Sequence, residues 1–197
     1  MRRKDKEVTD RRIIDNVLST ATICRLAMVD GGAPYIVPVN YGYRDGALYV
    51  HSASAGRKID VLCRHPRVCF EIESSAVITT HAEPCHWGTK ARSIVGYGSV
   101  EIISDYEEKR RGLDIIMAQH GKTDPNQYDE KQFAAVVILR VAIESITCKQ
   151  LGHWDEGMVN QAAEPARTAV TPTAASSAKA TEAGGAGDRA SGARDSS

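Results

Sequence analysis

The sequence predicts a mainly β fold of the α+β class, a small antiparallel barrel of about six strands with short helices at its corners. Three observations carry this expectation. Apolar residues alternate with period two over several short segments. Tight turn signals, Asp30-Gly31-Gly32 and Arg44-Asp45-Gly46, separate the early segments. The first strands also follow one another with no helix between them, which suits a meander or barrel and not a parallel sheet.

In chain order, Thr9 or Asp10 caps a short helix in which Ile13, Ile14, Val17, Leu18 and Ala21 recur at helical spacing. Ile23 to Val29 reads as a strand. Tyr35 to Tyr43 reads as a second, with Tyr35, Val37, Val39 and Tyr41 on one face and Ile36, Pro38 and Asn40 on the other. Ala47 to His51 makes a third strand. A helix follows from Ala55 to Arg64, with Ile59, Leu62 and Cys63 inward and Pro66 closing it. Val68 to Glu73 is a strand, 76–89 is ambiguous, and Ile94 to Ile103 is again a strand. Ser104-Asp105-Tyr106-Glu107 forms a capping box for a helix carrying Leu113, Ile116 and Met117. Ala134 to Ile146 is the last long strand.

The chain has 197 residues, 42% of them hydrophobic, so it holds one domain, or one domain plus a tail. Lys and Arg number 25 against 25 Asp and Glu, and a balanced charge argues against a general nucleic-acid binder. No apolar run approaches the ~20 residues that span a bilayer. The charged opening, Met1-Arg2-Arg3-Lys4-Asp5-Lys6-Glu7, has no apolar stretch behind it and is not a secretory signal. Cys24, Cys63, Cys69, Cys85 and Cys148 form an odd set without a CxxC pair, which points to a reduced, cytoplasmic protein. From Asn160 the composition turns to Ala, Gly, Ser and Thr, with Val170 the only large aliphatic residue. The domain is therefore expected over 1–159, and 160–197 as a disordered tail, since such a segment has too little to bury to offset its ordering entropy.

The most informative stretch is His51-Ser52-Ala53-Ser54-Ala55-Gly56-Arg57-Lys58. A strand ends, hydroxyls follow, a glycine lets the backbone approach closely, and two cations occupy the first turn of a helix. A helix N-terminus already carries about half a positive charge, so Arg57 and Lys58 are unfavourable there unless an anion shares the space. A phosphate resolves the conflict through hydroxyls, free N–H groups and both cations. The plainer reading is a solvated first turn.

Pro38 interrupts an otherwise clean strand and cannot donate to a ladder. Either this is an ordinary edge strand, or a barrel that fails to close leaves a slot beside Val37, Pro38, Val39 and Asn40 for a planar ligand. Arg92 and Ser93 at the mouth of a later strand would suit the same phosphate, or simply end that strand; Gly96 and Gly98 beyond them signal a close approach or a bulge. His51 fits a core histidine, a donor to a cofactor, or an axial haem ligand. The groupings His81, Cys85, His86 and Cys63, His65, Cys69 lack zinc-finger or HExxH spacing, so no metal is expected. No nucleophile elbow, P-loop or GxGxxG is present.

Taken together, Cys24 to Asp30, Tyr35 to Asn40, Tyr49 to Ala53, Gly56-Arg57-Lys58 and Arg92-Ser93 resemble the split-barrel flavin-binding proteins related to pyridoxamine 5'-phosphate oxidase, and within them the nitroimidazole-resistance (Nim-type) branch. The resemblance runs from the opening residues to about Trp154. It implies a homodimer of six-stranded split barrels with FMN at the subunit interface. It implies further that Val37 to Asn40 lie along the isoalloxazine, that His51 and Ser52 stand at the flavin, and that Gly56, Arg57 and Lys58 meet its phosphate. Arg92 and Ser93 would reach across the interface, Trp154 would help close the site, and His51 would contact cofactor or substrate. Ala91 departs from the Tyr usual before the Arg-Ser pair, which weakens transfer of substrate preference. The expected function is an FMN-dependent oxidoreductase using NAD(P)H to reduce a small organic acceptor such as a nitro compound, with His51 as its catalytic residue. The alternatives are a non-catalytic flavin- or haem-binding module, or a reductase using the deazaflavin F420 on the same barrel.

Overall fold

A computed structural model describes residues 2–122 and 124–154, apart from the side chain of Ser75. The expected tail, 160–197, and its boundary lie outside the described residues. A 3-10 turn over Lys4–Lys6 leads into β1, Glu7–Val8. Helix α1, Arg11–Thr20, begins where the Asp10 carboxylate accepts from the Arg12 amide at 2.9 Å, and it buries Ile14, Val17 and Leu18. Strands β2, Ile23–Asp30, and β3, Ala33–Asn40, form a hairpin closed at Asp30 and Ala33.

The single strand expected from Tyr35 to Tyr43 breaks at Tyr41. Beyond the break, β4, Gly42–Arg44, pairs with β5, Ala47–Ala53, and no longer with β2. A buried knot explains the break. Tyr41 is fully buried and donates its hydroxyl to the Leu18 carbonyl at 2.7 Å. The Gln119 amide donates to the Leu18 and Ala21 carbonyls, and its oxygen accepts from the Tyr43 amide at 2.6 Å. One of these bonds satisfies the Tyr43 amide, which a continuous strand would have paired, and the others satisfy carbonyls at the end of α1, so tertiary context overrides the alternating pattern here.

Helix α2, Arg57–Arg64, comes next, followed by the long strands β6, Arg67–Thr79, and β7, Gly88–Ile103. The ambiguous segment 76–89 is the outer end of this hairpin, with a 3-10 turn over Pro84–His86 at its tip. Helix α3, Tyr106–Gln119, is capped by Asp105, one residue later than the expected box, because that carboxylate accepts from the Glu108 amide. A short helix that the sequence reading did not anticipate, α4, Glu130–Ala134, precedes β8, Val136–Leu151.

Among the described residues all strands join one antiparallel sheet of eight strands, ordered β3-β2-β6-β7-β8-β5-β4, with β1 beside β8. Of the meander or barrel expected for the first strands the barrel is found, since β5 crosses to the far end and pairs with β8. The extra strands beyond the six expected are the short β1 and β4. Strands β3 and β4 end the sheet without pairing to each other, so the barrel is split. Its inner face buries Cys24, Leu26, Leu48, Val50, Phe70, Ile72, Ile94 and Leu139 together with α1 and α2. A second cluster sets Ile115 and Ile116 of α3 on Ala47, Tyr49, Ile103 and Ile138. Among the described residues no helix is long and apolar enough to cross a membrane.

Candidate functional site

The corner where β5 passes into α2 gathers the first group of expected residues. Alternation along β5 turns Ser52 to the inner face with Val50, and His51 to the outer face with Tyr49. The two neighbours thus serve different sides of the sheet. Ser52 is 6% exposed, and its hydroxyl meets no hydrogen-bond partner among the described residues. Gly56 caps α2 at φ 118°, a conformation that an L side chain resists, and the space its missing Cβ would fill is open. No side chain among the described residues caps the first turn of α2, so its N–H groups stay free of them.

The two cations behave differently. Arg57 lies against the Asp30 carboxylate at 2.9 Å, and its guanidinium stands 4.4 Å above the Tyr35 ring. Asp30 also holds Arg64 at 2.9 Å, which ties α2 to the β2–β3 hairpin. Lys58 is half-buried, forms no hydrogen bond or ion pair with any described residue, and has its pKa lowered by burial. His51 is also held below its ordinary value of 6.5, first by burial and then by Lys58 and His120. It is therefore neutral near pH 7.

Val37 and Val39 pack on the core, whereas Pro38 and Asn40 are exposed. Beyond β3 the sheet has no further strand, so Pro38, paired with Arg25, sits on an open edge that tolerates its missing N–H. This edge borders the split in the barrel.

Arg92 is 2% exposed, donates through Nε to the Gln150 side chain at 2.9 Å, and stacks 3.8 Å from the Trp154 ring. Lys90 covers the same ring at 4.6 Å. Ser93 faces outward, opposite to Arg92, and pairs with Glu73 and Lys149. Within one chain this group is far from the β5–α2 corner. His51 pairs with Ile138, which pairs with Ile103, and from Ile103 back to Arg92 runs about 35 Å of strand.

Sequence reasoning missed Asp30 and Tyr35, which hold Arg57, and Gln150, which holds Arg92. Asp30 reads as a turn residue, and nothing local links it to a helix that begins after three further strands. Of the two cysteine–histidine groupings, 63–69 is dispersed between α2 and β6, whereas Glu83, Cys85 and His86 converge at the tip of the β6–β7 hairpin.

Residues 10–150 match the family model of pyridoxamine 5'-phosphate oxidase. No curated relative matches the chain. Among solved structures it is similar to a candidate 5-nitroimidazole antibiotic resistance protein from Bacteroides thetaiotaomicron, with 32% identity and a TM-score of 0.66 over 74% of this chain and 87% of that one. The flavocytochrome Anf3 from Azotobacter vinelandii shares the fold at 20% identity and a TM-score of 0.67, over 79% of this chain and 75% of that one. So does the FAD and haem binding protein from Mycobacterium smegmatis, at 22% identity and a TM-score of 0.67, over 78% and 77%. The family match over residues 10–150 covers most of the chain and the split sheet agrees with it: the chain belongs to the pyridoxamine 5'-phosphate oxidase family.

Proposed function

We propose that the chain is an FMN-dependent oxidoreductase that reduces a small organic acceptor, such as a nitro compound, with electrons from NAD(P)H. The observation that carries this reading is the β5–α2 corner. A half-buried ammonium with no hydrogen-bond or ion-pair partner among the described residues, free N–H groups, an open glycine and a serine hydroxyl with no described partner fall within seven consecutive residues, and an anion would suit each of them. FMN, when bound, supplies the electron-transfer chemistry.

The protein's part is to bind, orient and exclude water. Lys58, the first turn of α2 and Ser52 hold the phosphate, with Gly56 allowing close approach. Arg57 adds positive field while anchored to Asp30. The open edge of β3 at Val37 to Asn40 offers backbone groups to the polar rim of a planar ring. His51, neutral at working pH, accepts a proton or hydrogen bond on the outer face of β5 and is the candidate catalytic residue.

Arg92 and Ser93 stand about 35 Å along β7 from this corner within one chain, which supports a homodimer in which they and Trp154 reach the site from the second subunit. The outer sheet face suits that role. Its register sets Ile36, Ala27, Cys69 and Tyr97 in one row across four strands, with Ile36 60% and Tyr97 48% exposed. All cysteines are free, in keeping with a reduced cytoplasmic setting.

The test is the absorption spectrum of the purified protein, followed by anaerobic addition of NADH or NADPH. A flavin spectrum bleached by either donor supports the reading. A flavin spectrum that neither donor bleaches contradicts the oxidoreductase, a Soret band assigns haem, and colourless protein that takes up F420 assigns the deazaflavin. Lys58→Ala combined with Arg57→Ala should purify without flavin while the dimer persists.

A further inference from the structure

We propose that Glu83, Cys85 and His86, at the tip of the β6–β7 hairpin, form a binding site for a single zinc-like divalent metal ion. The site is distinct from the flavin corner and stands or falls independently of it. The hairpin closes at Thr79 and Gly88, and the loop between them folds into the Pro84–His86 turn. Residues three apart eclipse in such a turn. Glu83 and His86 therefore face each other, with the carboxylate 3.0 Å from His86 Nδ1. Cys85 Sγ stands 3.9 Å from that same nitrogen and 3.9 Å from the same Glu83 oxygen.

This triangle is the signal. Around a tetrahedral zinc with bonds of about 2.0–2.3 Å, neighbouring ligand atoms sit about 3.3–3.6 Å apart. The edges found here differ from that by a few tenths of an ångström, and side-chain rotations would close the gap. The Cys85 thiol donates to the Glu83 oxygen and stands equally near the His86 nitrogen, so three metal-binding atoms converge on one point. The donor set of thiolate, imidazole and carboxylate matches zinc chemistry and is unlike the all-oxygen sets preferred by calcium or magnesium.

The loop is braced for the purpose. Pro84 fixes the start of the turn, the Glu83 amide donates to His81 Nδ1 at 3.1 Å, and the Trp87 indole donates to the His81 carbonyl at 2.7 Å. The His81 ring packs edge-on against His86 with 4.8 Å between centroids. All three ligands are exposed, so the ion would keep an open position for water and exchange freely. Spacing in the sequence gave no hint of this, because the arrangement depends on the turn and not on a zinc-finger motif. Among the described residues no other group of three such side chains converges.

On binding, Cys85 gives its proton to solvent and its sulfur bonds to the metal, while neutral His86 shifts its proton from Nδ1 to Nε2 so that Nδ1 can ligate, with no change of oxidation state. The test is titration of the full-length protein with Co²⁺, read as a difference spectrum, followed by displacement with Zn²⁺. One Co²⁺ per chain should bind with a sulfur-to-metal charge-transfer band and release of one proton, and Zn²⁺ should erase the band. Cys85→Ser should abolish the band, His86→Ala should weaken binding at least tenfold, and Cys63→Ser should change nothing. Circular dichroism and flavin content should be unaltered in all of them. Absence of a sulfur band, or a band that survives Cys85→Ser, would overturn the site and leave an ordinary surface ion pair.

Discussion

At the scale of single residues, the site is defined by two groups whose environments oppose their charge. Burial lowers the pKa of Lys58, so folding of the flavin-free protein works against its ammonium. The cost is fully present below the folded pKa and fades as pH rises from there toward the ordinary value of 10.5. Lys58→Met should therefore raise the melting temperature of flavin-free protein at pH 7, yet lower that of the FMN complex. A drop in both would show that Lys58 has a purely structural role. His51 carries the same sign at lower pH. The unfolded chain takes up its proton near 6.5 while the folded one still resists, so stability falls as pH drops from that value toward the folded pKa. His51→Gln should flatten this part of the stability–pH curve, as followed by urea denaturation across that range.

At the scale of elements, the pattern of the sequence was informative wherever local chemistry decided the outcome. The β2–β3 turn, the Asp10 cap and the helix after Gly56 all follow from residues within a few positions of one another. Pro38 was legible as a mark of an edge strand, and Gly96 and Gly98 as a close approach and a bulge. A Cβ at Gly96 would run into the Phe70 ring, and the β7–β8 register shifts between Tyr97 and Gly98. Gly96→Ala should cost about 1–3 kcal/mol by overpacking, measured by chemical denaturation. The break at Tyr41 was not legible, because it depends on Gln119, far away in sequence, reaching the Leu18 and Ala21 carbonyls. Removing the hydroxyl in Tyr41→Phe should cost about 1 kcal/mol, since Leu18 keeps its bond from Gln119. Likewise, the cations at the start of α2 were visible in sequence, but the capture of Arg57 by Asp30 was not.

At the scale of the whole molecule, the proposed site would draw on two groups of residues in each chain, which the length of β7 keeps apart. The outer face that would bring a second chain into register is apolar in its middle and ends in polar residues such as Glu73 and Lys149. Tyr97→Arg should shift the protein toward monomers in sedimentation and deplete its flavin at the same time. Monomers that retain full flavin would separate the cofactor site from dimerisation. The central claim is that the anionic end of the cofactor rests on Lys58 and the open N-terminus of α2. It is tested most directly by titrating flavin-free protein with FMN and with riboflavin, which lacks the phosphate. The wild-type chain should prefer FMN by at least about ten- to a hundred-fold, as charge-assisted bonds of this kind imply, and Lys58→Ala should lose most of that preference. Equal affinity for the two flavins in the wild-type chain would contradict the account.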